Sequence, residues 1–399
     1  MKKLFNTLVV IYPILSAYSA FAGLDLGVVL VFLVGVACSV INIHSLTTHL
    51  PKGYWPYFVL LLLSSLLVAH KLPLWPIMYT VCFIFAISFC NINKLIKYYT
   101  VSVYICSAFF LLQWGLATFV GLHISGFIPG LSLIYGDDGG LGYIDNTLMQ
   151  ERVSGFFLEP SYLAQYLFPF VAIKLFSGSK RDFREAILFT FILILVRSGN
   201  GVFVLAIIWG IWFWHSDFAN GRKVIYTVLL VLMMGVFSFV APQLVESLLS
   251  RADELNFTKV EAYDWYHSGF IRFYRGYYLY ADIPLMNKLF GSPMDLIEQV
   301  RAVNPYYYFD KNTTFLNGIQ MLLIYYGIFV CLMYLRHLYF YAKGSKDNLI
   351  ISLVACVFFL MFSESYYMTS RMFLLTTMLY LYRKITITHE NTIYNQQLS

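Results

Sequence analysis

Charge is scarce in this chain. Only 12% of its 399 residues are Asp, Glu, Lys or Arg, while 59% are apolar, and the mean hydropathy is +0.69. A water-soluble domain of this length could not cover so much apolar surface, so the composition predicts a polytopic membrane protein. Ten-residue alternation of apolar and polar positions is also missing. The spans are therefore helices, which satisfy their own backbone groups in lipid. The first apolar run lacks a small-residue cleavage site in polar context and reads as a retained span. The six cysteines fall inside apolar runs, which leaves no disulfide framework and no metal-ligand spacing. Walker loops, dinucleotide fingerprints, zinc motifs and Ser/His/Asp constellations are absent, so an ATP-driven pump is disfavoured and no cofactor or metal is expected. The net charge of +6 is scattered between apolar runs and implies no nucleic-acid partner.

What is present is a series of about twelve candidate transmembrane helices, at roughly 5–22, 25–43, 54–70, 73–90, 99–121, 158–176, 186–197, 202–215, 224–242, 315–335, 349–364 and 372–382. With the amino terminus inside, the inner connectors and inner span ends hold sixteen of the 27 Lys and Arg, as the positive-inside rule requires. The weakest link is 186–215, which could be one long span with Arg197 in its middle. The charge bias favours two short spans meeting at Arg197-Ser-Gly-Asn-Gly201. The organisation is thus an amino-terminal set of helices (1–121), a first outer loop (122–157), helices with the RSGNG break (158–242), a large outer loop (243–314), carboxy-terminal helices (315–390) and a disordered tail (391–399). The large loop carries nine acids and seven bases and is rich in tyrosine. Its alternating aromatic and polar residues predict short helices on the membrane surface.

Arg152–Tyr166, RVSGFFLEPSYLAQY, puts an arginine and a glutamate at the mouth of an apolar run. Ionisable groups at membrane depth are costly and tend to line a site. Pro160 suits the first turn of a helix, and the free N–H groups there form an anion seat. In the twelve-span arrangement Arg152, Glu159 and Arg197 converge on the outer face. So do His267, Arg272 and Arg275, within HSGFIRFYRGYY. Arginines at span ends also snorkel and anchor helices, and most of the loop tyrosines suit the interfacial belt. Short, Gly-interrupted segments such as those around Arg197 often mark a site within the membrane. His267 would suit a base at neutral pH. Asp137-Asp138 lacks further metal ligands and reads as a solvated loop.

The order of these features resembles the bacterial O-antigen polymerase (Wzy) family. The marks are R-x-x-G-F-F-L-E-P-S-Y-L-A, then R-S-G-N-G between short spans, then R-x-x-R-G in a large outer loop, then NTTFLNGIQMLLIYYG at 312–327. They cover about 120–335, and the first five spans match only in hydropathy. The resemblance implies a multi-pass protein of the bacterial inner membrane with two long periplasmic loops, similar to the C-type membrane glycosyltransferases. It implies a metal-independent, inverting transfer of a growing chain from undecaprenyl pyrophosphate to a sugar hydroxyl of a second lipid-linked repeat unit, in making O-antigen, capsule or exopolysaccharide. A polysaccharide chain-length regulator is the protein partner it points to. Arginines bind phosphate oxygens bidentately and stabilise a leaving pyrophosphate; Arg152, Arg197, Arg272 and Arg275 are the candidates. Glu159 is the first choice of base and His267 the second. The sibling O-antigen ligases, which transfer glycan to a lipid A core, share the layout and remain the alternative. A lipid-linked oligosaccharide flippase is the alternative of another class; it would place its charges in a mid-membrane cavity and not at one face.

Overall fold

The computed structural model describes residues 1–21, 23–47, 50–134, 153–215, 271–304, 315–345 and 347–398. The described residues are mostly helical, with no extended strand among them. The amino-terminal part holds α1 (Lys2–Leu15), α2 (Leu26–Ile41), α3 (Tyr54–Leu67), α4 (Leu74–Phe89) and α5 (Ile92–Gly115), the last continued by a π turn over Leu116–Val120. Next come α6 (Pro160–Phe176), α7 (Lys180–Leu195) and α8 (Gly199–His215). A π turn at Ile271–Arg275 opens a group of short helices, α9 (Gly276–Asp282), α10 (Leu285–Phe290) and α11 (Met294–Val303). The chain then enters α12 (Gly318–Met321), a π turn (Leu322–Tyr326), α13 (Gly327–Ala342), α14 (Asn348–Ser363) and α15 (Ser370–Leu398).

Two of these segments, Ile92–Val120 and Gly318–Ala342, are long and apolar enough to cross a membrane, and five shorter apolar helices accompany them. Helices occupy every expected span except 224–242, which lies outside the described residues. Their outer faces expose large apolar side chains, among them Leu67, Ile105, Phe119, Leu188 and Phe191. Local signals account for the helix starts. Pro160 sits at the first position of α6, where a missing N–H costs nothing. The Asp347 carboxylate accepts from Leu349 N (2.9 Å) at the start of α14, and Asn317 and Gln320 close a capping box on α12. The expected break in 186–215 is real: α7 ends at Leu195, α8 begins at Gly199, and Arg197 between them has φ +53°. Asn200 and Gly201 fall inside α8 instead of in the break. The tail, expected to be disordered over 391–399, is helical through Leu398. No Pro or Gly interrupts Ser370–Leu398, so the buried first turns propagate the helix into the polar residues.

Two ends of the bundle can be told apart by their contacts. At one, the starts of α6, α8, α12 and α15 meet the end of α14. Asn317 Nδ2 donates to Phe362 O (2.8 Å), Gly318 N to Glu364 O (2.8 Å), and Ser16 Oγ shares a hydrogen bond with Ser370 Oγ (2.8 Å). At the other, Asn91 N donates to Asn6 Oδ1 (3.2 Å) and Lys174 bridges Asp182 (2.6 Å) and Glu185 (2.8 Å). α6 packs on α7 and α8, and α1 packs on α2, α5 and α15. The short helices of the large loop carry a small core of their own, Leu279, Ile283 and Ile297, closed by Leu316 and Ile324.

Asp25, in the connector before α2, is buried and accepts from Val28 N (2.7 Å). Burial pushes its carboxyl from 3.8 up to about 6, against the pull of the capping N–H groups. A raised carboxyl value means its favourable contribution is complete below about pH 4 and is lost as pH rises through about 6. Asp25→Asn keeps a capping oxygen and never ionises. Relative to the parent it should gain about 3 kcal/mol between pH 4 and pH 8, read as a pH-dependent difference in Tm in detergent micelles. An equal Tm difference at both pH values would contradict it.

Candidate functional site at one end of the bundle

The segment that delivers Glu159 is pinned residue by residue. Gly155 has φ +65°, a conformation glycine adopts without cost. Its N–H donates to Gln113 Oε1 of α5 (2.9 Å), and Ser154 Oγ donates to Phe157 O (2.6 Å). Phe156 stacks on Phe109 of α5, with ring centres 4.2 Å apart, and Phe157 is fully buried against Tyr166. The apolar pair therefore anchors the turn, and the backbone hands Glu159 to the cap position of α6. The Glu159 side chain does not cap the helix. Its Oε2 instead accepts from Ser161 Oγ (2.8 Å), and the residue is half-buried.

A second carboxylate stands near it. Glu364 directly follows α14, in the connector to α15, and is almost fully buried. Its Oε1 accepts from Arg272 Nη1 and from Asn200 Nδ2. Burial raises the Glu364 carboxyl above the ordinary range; Arg272 pulls it back, and Glu159 adds to the rise. Arg272 is part-exposed (30%) and lies 5.4 Å from the centre of the Phe315 ring. Its backbone is held as well: Arg272 O accepts from Asn317 Nδ2 (2.8 Å), and Phe273 O from Gln320 Nε2 (3.3 Å). Gly276 lets this happen, since a Cβ there would stand 2.4 Å from the Gln320 amide. The R-x-x-R-G stretch is thus a π turn clamped by the capping box of α12.

No family model, curated protein or solved structure matches the chain. The site therefore has to be read from its own geometry. Of the residues singled out in the sequence, Glu159 and Arg272 come together around Glu364. Arg197 is exposed at the α7–α8 junction, three positions before Asn200, in a left-handed conformation that residues other than glycine seldom adopt. Arg275 is completely buried, so it is poorly placed to meet a ligand arriving from outside. Arg152, His267 and Asp137-Asp138 lie outside the described residues.

Four residues at this end of the bundle were not named as site candidates in the sequence: Glu364, Asn200, Gln165 and Arg371. Arg371, in the first turn of α15, is 8% exposed. Its Nε donates to Gln165 Oε1 of α6 (2.7 Å), and its guanidinium lies 3.6 Å from the centre of the Tyr162 ring. Glu364 and Arg371 flank SYYMTS at the junction of two apolar runs. They carry the same signal as Arg152 and Glu159: two charges seven positions apart at a helix mouth.

Two carboxylates, one half-buried and one buried, together with a part-exposed guanidinium, can take a proton and hold an oxyanion. They also carry a stability cost if separated, because removing one member of a buried pair leaves an uncompensated charge. Arg272→Met should destabilise the fold by roughly 3 kcal/mol or more, read as a large fall in Tm. Arg272→Met with Glu364→Gln should recover much of that loss. A double variant no more stable than the single one would mean that Glu364 does not depend on Arg272.

Proposed function

We propose that the chain is a multi-pass glycosyltransferase of the bacterial inner membrane that polymerises oligosaccharide repeat units carried on undecaprenyl pyrophosphate, at the periplasmic face. The observation that carries this reading is the cluster of Glu159, Arg272, Asn200 and Glu364 at one end of an apolar helical bundle. Three further features support it. The exposed apolar faces suit lipid and prenyl chains. The motif order resembles that of the O-antigen polymerases. Helix α9, with Tyr277, Tyr278 and Tyr280, directly follows the turn that carries Arg272. In this reading the helices form about twelve spans, and the cluster lies at their outer ends.

The chemistry of this reading is a transfer between two lipid-linked units. The bond from the donor's anomeric carbon to its phosphate oxygen breaks, and the electron pair leaves on the pyrophosphate. Arg272 and Arg197, with Arg152 from the same segment as Glu159, bind the developing negative charge. The acceptor sugar hydroxyl forms the new bond to the anomeric carbon from the opposite face, which inverts its configuration. Glu159, accessible and oriented by Ser161, takes the hydroxyl proton. Glu364 positions Arg272. The arginines take the charge-stabilising role.

Arg152→Ala, Arg197→Ala and Arg272→Ala should each abolish long-chain polysaccharide on a silver-stained gel while immunoblots show normal insertion. Normal chain lengths in all three variants would sink this reading. Glu159→Gln should slow polymerisation by about 10²–10⁴-fold, and Ser161→Ala by much less. The reverse order would make the Glu-Pro-Ser turn a structural element. Loss of the protein should leave single repeat units on the lipid A core. Long chains stranded on the carrier would identify a ligase.

A further inference from the structure

A cavity of about 280 Å³ opens beside the carboxylate cluster, between the end of α1, the starts of α2, α6 and α15, and the α14–α15 connector. Its polar lining includes two buried charges of opposite sign, Asp25 and Arg371. Its walls include Trp75, Phe157, Tyr162 and Tyr367. Ligand pockets usually run from about 300 to 1,000 Å³, so this one has room for a single ring and not for an oligosaccharide.

The two charges define what fits. Arg371 is fixed by Gln165 through Nε and by the Tyr162 ring through its face. No carboxylate of the described residues lies in ion-pair range of it. Asp25 uses one oxygen to cap α2. The hydroxyls around them are committed within the protein: Ser16 to Ser370, Ser365 to Leu316 O (2.7 Å), and Thr369 to Tyr366 O (3.1 Å). The cavity thus offers a guanidinium as donor and a carboxylate as acceptor, between aromatic walls. An anionic ligand would meet Asp25 and a cationic one Arg371. A neutral ring bearing several hydroxyls satisfies both, because each hydroxyl donates and accepts, and its apolar face suits the aromatic side chains.

We infer that this cavity is a subsite for one neutral sugar residue of the glycan, with Arg371 donating to its hydroxyls and Asp25 accepting from them. The identity of the sugar-bearing substrate rests on the function proposed above; the presence of a sugar site does not. The subsite adjoins the reacting cluster through Tyr162 and Ser365, within a few residues of Glu159 and Glu364 in the chain. It would hold the ring next to the bond being made, and so select which sugar is extended.

The test is saturation-transfer NMR on the full chain in detergent micelles, with D-glucose, D-galactose, N-acetylglucosamine and D-glucuronate as separate probes. At least one neutral sugar should receive saturation. The signal should fall about tenfold in Asp25→Ala and Arg371→Ala, the scale of a lost charge-assisted hydrogen bond. It should fall similarly in Ala17→Leu, which fills the cavity while keeping every polar group. Tm in the same micelles checks that each variant is folded. Arg272→Ala should keep the signal. The inference is overturned if no neutral sugar responds, if glucuronate alone responds, if the three cavity variants bind like the parent, or if Arg272→Ala alone loses binding. Sugar binding at the cavity together with normal polymer in the arginine variants would overturn the polymerase reading and leave the subsite standing.

Discussion

A carboxylate removed from water organises this end of the molecule. Glu364 is almost fully buried, and an ion in that position is tolerable only with a partner and further hydrogen bonds. The two donors come from distant parts of the chain, Asn200 at the start of α8 and Arg272 in the π turn before α9. The backbone of the same residue accepts from Gly318, the first residue of α12. One residue therefore ties four segments together. Loosening it would free the π turn, and with it the orientation of the part-exposed guanidinium.

The neighbouring Glu159 is treated differently, and the difference is chemically useful. It has a hydroxyl partner and partial access, whereas Glu364 has a guanidinium partner and no access. Two acids in unlike surroundings can take unlike roles, one exchanging protons and the other holding a cation in place. The apolar residues in front of Glu159 serve the same end. Phe156 and Phe157 lock the turn onto α5 and α6, so the carboxylate is delivered by a rigid segment.

Helices such as α2, α4 and α14 were legible in the sequence because each is a nearly unbroken apolar run, and the break at Arg197 was legible from its Gly-rich surroundings. Glu159 and Arg272 stood out because charge is rare here. Asn200 and Gln165 did not, since an amide on an apolar helix gives no signal until its partner is known, and their partners Glu364 and Arg371 lie 164 and 206 positions away in the chain. Arg275 looked equivalent to Arg272 in the R-x-x-R-G spacing, but three positions along a π turn separate a part-exposed side chain from a fully buried one. The tail misled for a local reason. Its polar composition suggests disorder, but a helix already nucleated by a packed first half needs no apolar residues to continue.

The same helix has a mechanical consequence. α15 runs for 29 residues, about 43 Å at 1.5 Å per residue, without a proline or glycine hinge. Arg371 stands in its first turn, stacked on α6. That first turn, with Ser370 and Arg371, lines the cavity. A tilt of a few degrees at Arg371 would be carried along the rod as a displacement of several ångströms at Leu398. A ligand in the cavity that tilted α15 would in this way also move the opposite end of the helix.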